Sequence, residues 1–500
     1  MEILLHNDYL AEALSREPDA IDLCITKNCK SWVASTTISS LMQKSSQEQR
    51  NKVSDLLGVL SVVTPNVGDL EEALRDECFE ERLTSILARN YGFDAVVSTN
   101  PEKFSSDDVL VITPEELQKK INEPASPVTG VKLLDIPASY HQILNDVEIE
   151  IADTIRSGQF ILGSKVSELE EKIAEYCQTK FAVGVSSGTD ALLISLMAAG
   201  IGEGDEVITS PYTFFATAGS IVRVGATPVF VDINDVTFNM KVEHVERCIT
   251  SRTRAIMPVH LYGQCADMDP IMELGKKHNL TVIEDAAQSI GSEYKKKRSG
   301  SLGNIGCFSF FPAKNLGAFG DGGIVTTSSE ELYEKLKVLR VHGSEPKYYH
   351  KSIGGNFRLD ALQAGVIKAK LNYLESWTEK RRQNATTYNQ LFQANALTRY
   401  IQLPPEVFPR HVFNQYVIRA GNRRDELRSF LNEKKIGCEI YYPLSLHIQE
   451  CFKSLGYKKG NFPEAEKAAD ETLALPVSHE ITRSQQEYVV ENIRDFFLNK

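Results

Sequence analysis

Apolar and polar positions change period along the chain, and the changes divide it. In the later part, short and nearly continuous apolar runs alternate with stretches of helical spacing. The runs are FAVGV at 181–185, EVITS at 206–210, TPVFVD at 227–232, AIMPVH at 255–260 and TVIED at 281–285. Such alternation predicts a largely parallel α/β sheet covered on both faces. Several runs end in a small or polar residue, and open sheets of this kind bind ligands beyond the carboxyl ends of their strands, so the chemistry is expected there. Further on, LNYLESWTEKRRQNATTYNQLF sets Leu371, Leu374, Trp377 and Tyr388 at broadly helical spacings and predicts a helix leading into a smaller domain. In QQEYVVENIRDFF, Tyr488, Val489, Ile493 and Phe496 suit one face of a terminal amphipathic helix.

The pattern breaks at EPASPVTGVKLLDIP, residues 123–137, where prolines remove backbone donors and a glycine interrupts periodicity. This reads as a linker. The expected organisation is a domain at 1–122, the linker, a large domain at 138–375 and a small domain at 376–500. The first segment has an α/β look of its own, from EILL through FDAVVSTNPEKF to VLVITPEEL, and no internal repeat is apparent.

Composition narrows the class. With 42% hydrophobic and 24% charged residues there is ample material for a core. The 55 basic and 67 acidic residues give −12, which argues against nucleic-acid binding through a global field, although a local basic patch stays open. Nine scattered cysteines without paired CxxC motifs point away from structural zinc or a disulfide framework, and Cys24 and Cys29 are expected to be buried thiols. MEILLHNDYLAEAL has no basic leader before an apolar run, and no segment nears ~18 uninterrupted apolar residues. A reduced, cytoplasmic protein with no membrane partner is expected.

Three features together suit pyridoxal phosphate (PLP), which needs a lysine for its Schiff base, an acid beside the pyridine nitrogen and donors for its phosphate. Asp285 closes the apolar run TVIE, so its carboxylate is expected at a strand end. Lys314 follows the apolar stretch CFSFF and precedes a glycine-rich segment able to fold closely around a ligand. SSGTDALLISLMAAG, at 186–200, opens an apolar helix with small residues and hydroxyls, so Gly188 and Thr189 could cradle an anion at the helix N-terminus. Alone, that motif is more often a simple helix cap, and a lone lysine is usually a solvated surface charge.

The joint arrangement resembles the DegT/StrS sugar aminotransferases, over residues 133–500. The resemblance rests on SSGTDAL, GDEVITSPYTFFAT, GATPVFVDI, EDAAQSIGSEY, GSLGNIGCFSFFPAKNLGAFGDGG, GGNFRLDALQA and EIYYPLSLH, in that order. It implies the aspartate aminotransferase type of PLP fold, with a large domain built on a mainly parallel seven-stranded sheet and a smaller C-terminal α/β domain. It implies that Lys314 forms the Schiff base and shuttles the proton. Asp285 would pair with the pyridine nitrogen, Gln288 would contact the ring hydroxyl side and Phe214 would stack on the ring. Thr189, Ser309 and the amide of Gly188 would hold the phosphate. Asn356 would reach the phosphate of a neighbouring subunit, implying a homodimer with shared active sites. His260, Tyr441, Tyr442 and His447 would line the sugar entrance, each being equally readable as packing. Arg340, His342 and Arg358 could meet nucleotide phosphates or a donor carboxylate, with buried ion pairing as the competing reading.

Relatives that remove a sugar hydroxyl carry histidine where this chain has Lys314, so the resemblance favours transamination. It implies glutamate as amino donor and a nucleotide-linked keto-sugar as acceptor, C3 slightly favoured over C4, with a place in polysaccharide biosynthesis. Two alternatives are a PLP-binding regulatory or sensor protein without turnover and a ribonuclease centred on the first segment. That segment, residues 1–122, resembles a PIN-like nuclease domain, whose clustered carboxylates hold divalent metal. The pattern is degenerate: His6 stands where an aspartate is expected, with Asp8 two positions on, and Ser39 or Ser40 replaces a helical glutamate. Asp69, Glu71, Glu72 and Asp94 remain acidic candidates. An interaction or regulatory module without metal is the favoured reading.

Overall fold

The computed structural model describes residues 127–140 and 143–498 and, ahead of these, only 2–5, 30–34, 61–63, 84, 95–98, 104, 110–113 and 116. The chain forms two compact units, one of residues 1–127 with 140–145 and one of 128–139 with 146–500.

In the first unit five strands form one parallel sheet: β1 (Glu2–Leu5), β2 (Lys30–Ala34), β3 (Ser61–Val63), β4 (Ala95–Val97) and β5 (Val111–Ile112), in the order β3-β2-β1-β4-β5. Leu4, Leu5, Val96 and Val97 are buried, as strands covered on both faces require. The apolar stretches EILL, AVV and VI are thus strands. His6, Asp8, Cys24, Cys29, Ser39, Ser40, Asp69, Glu71, Glu72 and Asp94 lie outside the described residues, and the nuclease candidates among them have no structural account.

The second unit begins inside the expected linker. Val131 bridges Ile436 in parallel, its N–H donating to the Lys435 carbonyl at 2.9 Å and its carbonyl accepting from Gly437 at 2.7 Å. Residues 128–139 are therefore tied to the C-terminal part of the chain.

The large sheet follows the apolar runs. Helix α1 (Ser164–Tyr176) leads to β6 (Phe181–Val185), α2 (Gly188–Ala198), β7 (Glu206–Thr209), α3 (Ala216–Arg223), β8 (Thr227–Phe230), β9 (Thr253–Met257), α4 (Met268–His278) and β10 (Thr281–Asp285). Then come β11 (Ile305–Ser309), β12 (Gly323–Thr327) and α5 (Glu330–Leu339). The strand order is β6-β12-β11-β10-β9-β7-β8, and β12 alone runs antiparallel to its neighbours. One face packs on α2 and α5 through Val183, Leu196, Met257, Val325 and Leu336. The other packs on α1 and the later helix α6 (Ala361–Leu371) through Leu169, Phe308, Ile324 and Ile367.

The polar helical stretch is α7 (Leu374–Ala394), which buries Leu374, Trp377 and Tyr388. Leu371 instead ends α6, because the chain turns at Asn372 and Tyr373. The small domain adds β13 (Tyr416–Arg419), α8 (Arg424–Glu433), α9 (Pro463–Glu471), β14 (Thr472–Leu475) and α10 (Arg483–Leu498). Strands β13 and β14 pair antiparallel over a core holding Phe392, Ile418 and Leu473, onto which α10 turns Val489, Ile493 and Phe496. Cys177, Cys265, Cys307 and Cys438 are buried free thiols, and no helix among the described residues is long and apolar enough to cross a membrane.

Candidate active site

The carboxyl ends of β6, β10 and β11 open on one cavity of about 400 Å³. Asp285 is the last residue of β10 and Ser309 the last of β11, while the turn after β6 delivers Ser187, Gly188 and Thr189 at the start of α2. Lys314, Phe214, Gln288, Tyr441 and Tyr442 complete the part of the lining that sequence had marked.

Electrostatics fit a lysine–carboxylate site. Burial lowers the Lys314 amine to about 8, with the Asp285 charge pulling the other way. Burial raises the Asp285 carboxyl, opposed by a hydrogen bond from the Thr217 hydroxyl to Oδ2 at 2.7 Å. Gln288 is oriented by its neighbours: Oε1 accepts from the Tyr262 N–H at 2.7 Å and Nε2 donates to the Tyr442 hydroxyl at 3.1 Å. The Phe214 ring lies 6.0 Å from that of Tyr442.

The SSGT motif forms a helix cap, and the same turn lines the cavity. Ser187 caps α2, its hydroxyl accepting from the Asp190 N–H at 3.0 Å. Gly188 meanwhile approaches Ser309 so closely that a Cβ on it would stand 2.6 Å from the Ser309 Cβ. The result is a helix N-terminus lined by Gly188, Thr189 and Ser309, a fitting cradle for a phosphate.

The Lys314 turn is held from three sides. Lys314 N–H donates to the Phe311 carbonyl at 2.8 Å, Asn315 Nδ2 to the Val412 carbonyl at 3.0 Å, and Lys370 Nζ of α6 to the Gly317 carbonyl. A Cβ at Gly317 would meet the Pro312 carbonyl oxygen at 2.5 Å, so the turn closes only with glycine there.

Three expected contacts, His260, His447 and Arg340, are corrected to framework roles. His260 is fully buried; its Nδ1 accepts from the Ala266 N–H at 3.1 Å, so Nε2 carries the proton and donates to Glu284 at 2.9 Å. Neither nitrogen is left for a sugar. His447 is buried between Ser445 and Glu466, each 3.0 Å from a ring nitrogen. Arg340 is buried against Glu170 and the Gly184 carbonyl, the ion-pair reading rather than the phosphate one. Arg358 follows the same strand edge, its backbone bridging Val185. His342 and Asn356 are exposed neighbours on one loop, joined through the Val341–Asn356 bridge and outside this cavity's lining.

Sequence reasoning passed over Thr213, Thr217, Tyr262, Asp321, Asn414 and Gln415. Thr213 and Thr217 are four residues apart, and their hydroxyls lie 2.9 Å from each other beside Asp285. That spacing at a helix start after a strand end was the available signal. Tyr262 has φ of 60°, a conformation no pattern of apolar positions encodes.

The DegT/DnrJ/EryC1/StrS aminotransferase family model matches residues 142–494. The chain belongs to this family. A pleiotropic regulatory protein of Geobacillus stearothermophilus is 52% identical over 369 residues, covering 74% of this chain and 99% of that protein. A UDP-N-acetyl-3-dehydro-alpha-D-glucosamine 3-aminotransferase of Acidithiobacillus ferrooxidans is 41% identical, covering 73% and 98%. Among solved structures, S. venezuelae DesV in complex with a ketimine intermediate is 39% identical with a TM-score of 0.71, covering 74% of this chain and 99% of that one. NtdA of Bacillus subtilis, with bound cofactor PMP, is 27% identical with a TM-score of 0.69, covering 83% and 97%. The DegT/DnrJ/EryC1/StrS family is PLP-dependent, and the cavity's lysine, carboxylate and phosphate cradle fit that cofactor. The family match takes in none of residues 1–127, and the PIN-like part of the expectation finds no support in it.

Proposed function

We propose that the second unit is a transaminase that moves an amino group from glutamate to a keto-sugar linked to a nucleoside diphosphate, with C3 favoured over C4. The observation that carries the reading is the convergence of Lys314, Asp285 and the start of α2 on one cavity. Bound PLP supplies the electron sink. Lys314 is the covalent anchor and, its amine lowered to about 8, a base able to hold and return a proton near neutral pH. Asp285 holds the pyridine nitrogen, its charge kept by the Thr217 bond. Gln288, fixed by Tyr262, would face the ring oxygen, and Phe214 would cover the ring. Asn356 and a partner subunit complete the phosphate site in a homodimer. The named activities of relatives favour C3, since they include the 3-aminotransferase above and a dTDP-3-amino-3,4,6-trideoxy-alpha-D-glucose transaminase of Streptomyces venezuelae, 40% identical.

The test is stepwise. Purified protein with PLP is mixed with glutamate, and loss of the visible cofactor band is followed; a panel of nucleotide-linked 3-keto and 4-keto sugars is then tested for its return. Loss with glutamate followed by no return with any sugar would defeat the sugar assignment. A second reading, PLP binding in a regulator without turnover, is favoured by the name of the 52% identical relative. It requires the band to persist under glutamate.

A further inference from the structure

The cavity that holds Lys314 has another wall, made by Asn414 and Gln415 just ahead of β13. Their backbone is anchored, the Asn414 N–H donating to the Tyr262 carbonyl at 2.9 Å and the Gln415 N–H reaching the same oxygen at 3.5 Å. Asn414 is only 9% exposed, and its side-chain carbonyl oxygen has no hydrogen-bond partner; that of Gln415 is also buried without one. A buried acceptor left unmatched is costly, and two in one wall call for a ligand that donates.

The cofactor does not meet this need. Its phosphate and ring oxygen are acceptors, and its ring N–H is matched by Asp285. The carboxylates of an amino donor are acceptors too and gain nothing from bare carbonyl oxygens, and its amino group, the one N–H donor it brings, is committed to the reaction at the cofactor. Ring hydroxyls and acetamido N–H groups of a sugar are donors of the right kind, and the wall stands beside Tyr441 and Tyr442 at the same cavity. We infer that Asn414 and Gln415 are specificity-determining residues whose side-chain carbonyls accept hydrogen bonds from donors on the sugar ring, so that the site selects keto-sugars that keep those donors over deoxy analogues. This rests on the transaminase reading above. It follows from the asymmetry of polar recognition: a site built to accept from a substrate hydroxyl or N–H rejects the analogue lacking it, because its own buried groups are then unmatched.

The experiment uses the full chain in its pyridoxamine-phosphate form and pairs of UDP- or dTDP-linked keto-sugars, each pair differing by one ring hydroxyl or by the acetamido group. For a pair that is turned over, wild type is expected to favour the donor-bearing member roughly tenfold or more in kcat/KM, and Asn414→Leu or Gln415→Met to shrink that preference to about threefold or less. Recovery of the cofactor band shows that each variant folds; if Asn414→Leu does not, Gln415→Met decides alone. Unchanged preference in the variants, or a wild-type preference for the deoxy members, overturns the inference while leaving transamination standing. If glutamate bleaches the band and no sugar restores it, the transaminase assignment for sugars fails, and this inference with it.

Discussion

The hydroxyl of Thr217 donates to Oδ2 of Asp285 at 2.7 Å, and the Thr213 hydroxyl lies 2.9 Å behind it. Asp285 is buried, and burial pushes its carboxyl above the usual range; this bond is the largest of the contacts that favour the charge, ahead of the Ala287 N–H and the Lys314 amine. In Thr217→Val the carboxyl is expected to rise further. The acid limb of the kcat/KM profile then moves to higher pH, and at neutral pH the rate falls about tenfold to a hundredfold, the size expected for losing a hydrogen bond to a charged group. A pH–rate profile with an unmoved acid limb would remove Thr217 from the site.

Lys314 gives a second pH dependence, of the same origin and opposite direction. Burial holds its amine at about 8 against 10.5 in an unfolded chain. The reactive neutral amine therefore becomes the majority form above about pH 8. PLP uptake by the apoprotein, followed by absorbance between pH 6.5 and 9.5, is expected to quicken through pH 8 and then level off. Between about 8 and 10.5 the unfolded chain binds the proton that the folded apoprotein has released, so this group's contribution to stability rises with pH across that window. Lys314→Ala removes both effects and the visible band.

What the sequence disclosed and what it withheld divide along physical lines. The strands were legible because their residues are buried on both faces, which demands unbroken apolar runs such as FAVGV and TVIED. Ser309, inside the apolar stretch CFSFF, was marked only by the family resemblance, whereas Asp285 was legible because it ends such a run. The fate of His260 was not, since a histidine at a strand end looks the same whether it faces a ligand or pairs with Glu284 behind the sheet. The same holds for His447, whose partner Glu466 lies on α9. Asn414 and Gln415 were hidden for another reason: their meaning lies in hydrogen bonds not made, which only the packing around them reveals.

Glu284 is the residue before Asp285 in β10, with its side chain turned to the opposite face as strand alternation requires. Fully buried, it pairs with His260 and accepts from the N–H groups of Gly300, Leu302 and Gly303 at 2.7–2.8 Å. Glu284→Ala leaves these donors without a partner in the interior. The expected cost is about 3–5 kcal/mol, as for leaving several buried donors unmatched, read as a lower urea midpoint for loss of the cofactor band. Glu284→Gln, keeping one acceptor, is expected to lose less.

Ser187 and Gly188 separate capping from ligand binding at adjacent positions. Ser187→Ala removes the hydroxyl that accepts from Asp190 and should destabilise the start of α2 by ~1 kcal/mol. The backbone amides that face the cavity remain where they are, so PLP affinity should change little. Gly188→Ala does the reverse. The helix cap is intact, and alanine favours the helix over glycine by roughly 1 kcal/mol. But its Cβ would stand 2.6 Å from the Ser309 Cβ and 3.0 Å from its hydroxyl, inside the cradle itself. Either Ser309 or the start of α2 must shift, and the phosphate donors lose their common focus. PLP titration of the apoproteins is expected to show at least tenfold weaker binding for Gly188→Ala than for Ser187→Ala, since displaced charge-assisted donors cost about 1.5–3 kcal/mol. Equal affinities would mean that α2 starts at a simple cap and that the phosphate is held elsewhere.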